Sequence, residues 1–89
     1  MDAHWIKTRD FNMRTIENDF LDGADIRQVC DWAIGVGKAM DDEDFVTRAN
    51  MLKEGCQALI DKGQLQPYAT AKHKPLSPEE IRQLRDRYR

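Results

Sequence analysis

No apolar run in this chain approaches the roughly 18–20 residues needed to span a bilayer, and its first ten residues, MDAHWIKTRD, contain no apolar signal region. The expectation is a cytoplasmic protein without a membrane contact, its thiols reduced. Cysteine is limited to Cys30 and Cys56, and histidine to His4 and His73. These four stand singly, with none of the short paired spacings that metal fingers use, so no metal site is expected. The chain has one serine, Ser77, at what reads as a helix cap. No Ser/His/Asp or Cys/His set with a shared face can be drawn, and a helical body of 89 residues leaves little room for a substrate-sized pocket. The reading is therefore a non-enzyme with no cofactor.

Two apparent motifs fail on spacing. Gly35-Val36-Gly37-Lys38 suggests a phosphate loop. That loop needs a glycine where Trp32 stands, a Ser or Thr where Ala39 stands, and a strand before it. Within a helix, Gly35 and Gly37 instead let a neighbouring helix approach closely. The run Asp41-Asp42-Glu43-Asp44 has neither the glycine nor the terminal glutamate of a calcium-binding loop.

What the chain does have is helical period. Over 24–40, Ile26, Val29, Cys30, Ala33, Val36, Gly37 and Met40 form one stripe. Over 43–62, Phe45, Ala49, Leu52, Cys56, Leu59 and Ile60 form another, ended by Lys62-Gly63. Only Asp41 and Asp42 remain between them. Either can cap the second helix, and Glu43 and Asp44 suit its positive end. So short a link predicts an antiparallel helical hairpin, with Cys30 near the level of Leu52 and Cys56 near Ile26. Both thiols lie on core stripes. Buried reduced cysteines fit best, ahead of a disulfide or a metal.

A helix over 10–21 precedes the hairpin, with Met13, Ile16 and Phe20 on one face and Asp22-Gly23 as its stop. Phe11 falls off that face, and the alternation Phe11, Met13, Thr15 would also suit a strand. Residues 1–9 fit either a helix or an extended arm. After Gly63 the period breaks. Residues 64–75, with Pro67 and Pro75, read as a connector. Ser77-Pro78-Glu79-Glu80 then opens a short basic helix within 76–89. The expected fold is a small all-α bundle: a core domain over 1–63, the connector, and the C-terminal helix.

Charge divides along the chain. Residues 1–65 carry eight basic and thirteen acidic side chains, net −5. Residues 66–89 carry six basic and three acidic, net +3. An acidic body suits a protein partner with a basic surface. The candidate contacts are Asp41, Asp42, Glu43 and Asp44, with the apolar flanks at Trp32 and Met51, since aromatic and Met residues enrich at interfaces. Trp32 and Met51 would equally serve to receive another helix of the same chain. The other reading is a nucleic-acid-binding regulator using Lys72, Lys74, Arg82, Arg85, Arg87 and Arg89 against phosphates. Small acidic chains without motifs are frequent among phage and mobile-element modulators of host machinery. The favoured expectation is a protein-binding module of that kind, an adaptor or an inhibitor, monomeric or homodimeric.

Overall fold

The computed structural model describes residues 3–70 together with Arg82 and Gln83. Three helices account for most of them: α1 (Ala3–Leu21), α2 (Arg27–Ala39) and α3 (Glu43–Asp61). No strand occurs among the described residues, and no helix among them is long and apolar enough to cross a membrane.

The α1 helix starts at Ala3, seven residues earlier than the 10–21 pattern alone predicts. The cause is an anchor distant in sequence. Trp5 is buried, its ring meets Phe45 edge-on at 5.5 Å, and its indole N–H donates to Asp42 at 2.9 Å. Trp5 thus extends the stripe of Met13 and Ile16 back by two turns. Phe11 is 55% exposed while Met13 is fully buried. Alternate residues therefore do not share a face, which rules out the strand.

All three helices end in the same way. The N–H of Gly23 donates to the Phe20 carbonyl and that of Ala24 to the Asp19 carbonyl. Gly63 and Gln64 repeat this with Ile60 and Leu59, and Asp41 and Asp42 repeat it with Lys38 and Gly37. Each is the 6→1 and 5→2 pair of a Schellman motif, which turns on one left-handed residue. Gly23 and Gly63 supply φ values of 90° and 71°. At the end of α2 the residue is Asp41, at φ 56°. The next residue, Asp42, caps α3 by accepting from the N–H of Phe45 at 3.1 Å.

Contacts between α2 and α3 join Arg27 to Gln57, Asp31 to Lys53, and Gly37 to Val46. The predicted α2 stripe is buried at Ile26, Cys30, Ala33, Val36 and Gly37. On α3 the stripe is buried at Phe45, Ala49 and Cys56, whereas Leu52, Leu59 and Ile60 are half-buried. Of the two glycines, Gly37 alone is a close-approach site: a Cβ there would lie 2.6 Å from a Val46 methyl, while one at Gly35 would meet nothing. The α1 helix meets α3 through Trp5–Phe45, Glu17–Arg48 and Phe20 against Gly55.

Residues 64–70 of the connector return to the body. Leu65 joins the core, and the N–H of Asp25 donates to the Ala69 carbonyl at 3.0 Å. The remaining connector residues and the predicted C-terminal helix lie outside the described residues, apart from Arg82 and Gln83, which are helical and exposed.

Candidate interaction surface

The acidic run at the junction of α2 and α3 splits into two roles. Asp42 was expected on a partner-facing edge, and that expectation is corrected. Its side chain is 1% exposed and accepts from Phe45 N–H, Trp5 Nε1 and Arg9 Nη1, the last at 2.9 Å. Burial works against its ionisation. The Arg9 guanidinium, the Phe45 N–H and the Trp5 N–H outweigh burial and hold the carboxyl below its ordinary range. A carboxylate enclosed this way joins α1 to the start of α3.

Asp41, Glu43 and Asp44 are exposed. Two open grooves flank this end of α3. One, of about 430 Å³, runs along Gly37, Lys38, Asp41, Glu43 and Val46; the other, of about 300 Å³, along Arg9, Asp44, Phe45 and Arg48. Thr47 lines both. The first groove sits beside Gly37 and Lys38 and carries two exposed carboxylates. An anion there would meet like charge, and the glycine is already used for packing, so the phosphate-loop reading fails in three dimensions as it does in sequence.

Met51 is 66% exposed. It lies eight residues after Glu43 on α3, about 12 Å along the axis at 1.5 Å per residue. Helical spacing places Thr47, Glu54 and Ala58 around it, and all three are exposed. This outward face of α3 therefore presents a flexible apolar side chain beside one carboxylate, Glu54, one cation, Arg48, and the small Thr47 and Ala58. Trp32 does not join it. Trp32 is half-buried against the core, and its indole N–H is buried with no hydrogen-bond partner among the described residues. Of the predicted partner residues, then, Asp41, Glu43 and Asp44 are exposed at the head of α3 and Met51 is exposed about two turns further along it, whereas Trp32 is half-buried and Asp42 buried. In the predicted basic set, Arg82 is exposed; Lys72, Lys74, Arg85, Arg87 and Arg89 lie outside the described residues.

The structure adds a residue the sequence patterns did not single out. The side chain of Asp25 is 6% exposed and accepts from four groups. They are the N–H of Arg27, its guanidinium at 2.8 Å, the N–H of Tyr68 at 2.9 Å and the Cys56 thiol at 3.5 Å. The Arg27 guanidinium holds this carboxyl far below its ordinary range, against burial. The available signal was an aspartate two residues before the first helical residue, where a carboxylate can accept from the backbone N–H two residues on. Both cysteines are free and fully buried. Burial pushes the Cys30 thiol up to about 12 and raises that of Cys56. Thiols held protonated are poor nucleophiles and poor metal ligands. Among the described residues, no group of three or more His, Cys, Asp and Glu is placed to hold a metal.

Comparison of the chain with protein-family models, curated proteins and solved structures returns no match.

Proposed function

We propose that the protein is a non-enzymatic protein-binding module, an adaptor or an inhibitor, built on an antiparallel α2–α3 hairpin. In this reading its partner is a protein with a basic surface and an apolar recess. The observation that carries it is the outward face of α3: Met51, 66% exposed beside the exposed Glu54, with no described element covering it. Methionine adapts to irregular recesses and enriches at such contacts. Asp41, Glu43 and Asp44 at the head of the same helix would steer a cationic surface toward it. The modulator of host machinery, of phage or mobile-element type, is the biological setting this reading suits.

The test begins with affinity capture from the native host, identified by mass spectrometry, and continues with association kinetics on the purified partner. Changing Asp41, Glu43 and Asp44 to Asn, Gln and Asn should slow association several-fold at low salt and matter little at high salt. If the captured species is nucleic acid, with affinity falling steeply in salt, the reading fails. The basic residues of 72–89 would then carry the function.

A further inference from the structure

We propose that residues 64–69 form a latch over the end of the helical body, which opens as a unit without unfolding the helices and whose catch is the Asp25 carboxylate. The latch has one buried side chain, Leu65; Gln64, Gln66, Pro67 and Tyr68 are exposed. Its backbone grips the body at adjacent points: Tyr68 N–H to Asp25 Oδ2 at 2.9 Å, and Ala69 carbonyl from Asp25 N–H at 3.0 Å. The Arg27 guanidinium, itself bound to Asp25, lies over the Tyr68 ring at 5.6 Å to the centroid.

Two features make this a device and not a plain chain crossing. Tyr68 is held at φ 64°, a left-handed conformation that strongly disfavours a residue with a bulky side chain, and its own ring is 87% exposed, so packing does not enforce it. The hydrogen bonds to Asp25 hold this conformation together with a local turn, in which the Ala69 N–H donates to the Gln66 carbonyl at 3.3 Å across Pro67 and Tyr68. Few apolar contacts, exposed backbone and stored strain mark the segments that open first in a folded protein. The second feature is what lies beneath. The Asp25 carboxylate sits between the latch and the Cys56 thiol, contacting both. Opening the latch uncovers Asp25 and then Cys56, while Cys30, also fully buried, depends on the helices themselves.

The test is native-state alkylation of the full chain with iodoacetamide, the label assigned to each cysteine by peptide mass. In the unchanged protein Cys56 should label at least tenfold faster than Cys30. Tyr68→Pro removes the N–H donor and forbids a positive φ. It should speed Cys56 labelling a further tenfold or more, leave Cys30 unchanged and keep the helical circular dichroism. Tyr68→Ala keeps the donor and should change Cys56 labelling less than threefold. Equal labelling of the two thiols in the unchanged protein would overturn the proposal. So would a Tyr68→Pro variant that labels as the unchanged protein does or loses its helices. A Tyr68→Ala variant as fast as Tyr68→Pro would show that the ring, not Asp25, is the catch.

Discussion

Replacing Asp42 with alanine removes three acceptor contacts at once and takes this partner from the buried Trp5 Nε1 and from the half-buried Arg9 guanidinium, which keeps Asp10. Losing a cap costs about 1 kcal/mol, and leaving the buried Trp5 donor without this acceptor adds about 1–3. Asp42→Ala should therefore lower stability by about 2–4 kcal/mol in a denaturant melt. Asp41, one residue earlier, should behave in the opposite sense. It holds the left-handed position that Gly23 and Gly63 hold at the other helix ends. Asp41→Gly should raise stability by about 0.5–1 kcal/mol. If a partner reads the acidic edge, the same change should slow association, which would explain why an aspartate stands at a glycine position. Nothing in the sequence alone separates these neighbours, because either aspartate can cap α3. The choice is made by Trp5 and Arg9, more than thirty residues away. Asp25 escaped sequence analysis for the same reason: two of its partners, Cys56 and Tyr68, are 31 and 43 residues distant.

At the scale of the element, the two glycines of α2 give the sharpest contrast. Gly35→Ala adds a methyl into open space on an exposed helical face and should stabilise the protein by about 0.5–1 kcal/mol. Gly37→Ala places the same methyl 2.6 Å from Val46 and 3.1 Å from the Phe45 ring. It should destabilise by about 1–3 kcal/mol through overpacking. A melt in which both substitutions have the same sign would contradict the α2–α3 packing described here. The all-helical class and the approximate ends of α2 and α3 were legible in the apolar stripes and in Lys62-Gly63, because helical period is local. The start of α1 was not, because nothing near Ala3 marks it. Trp5 is the anchor, and its significance lies in Phe45 and Asp42. The Met51 position was legible as a flank residue. Trp32 was not separable from it by period alone, and only packing distinguishes the half-buried indole from the exposed thioether.

For the whole molecule, the buried titratable groups set a window of pH. Asp25 and Asp42 have depressed native pKa values. Their stabilisation is present above the unfolded carboxyl value of about 3.9 and is lost as pH falls through the native values. Cys30 and Cys56 have raised values. Their contribution is present below the unfolded thiol value of about 8.5 and is lost as pH rises through the native values, about 12 for Cys30. Urea midpoints should be level between about pH 5 and 8 and fall on both sides. On the alkaline side each thiol can contribute at most about 1.4 kcal/mol per pH unit. An alkaline limb that persists undiminished when Cys30 and Cys56 are both replaced by alanine would assign it to other groups.

The central claim is that the outward face of α3 binds a protein. Its most direct test is the affinity of the captured host partner for a Met51→Asp variant, measured beside one with Arg82, Arg85, Arg87 and Arg89 changed to Gln. Met51 is exposed and covered by no described element, so its substitution should leave the melt within about 0.5 kcal/mol. The account predicts that Met51→Asp weakens binding at least tenfold, about 1.4 kcal/mol or more, and that the arginine variant binds as the unchanged protein does. Full binding by Met51→Asp, with binding lost in the arginine variant, would contradict it.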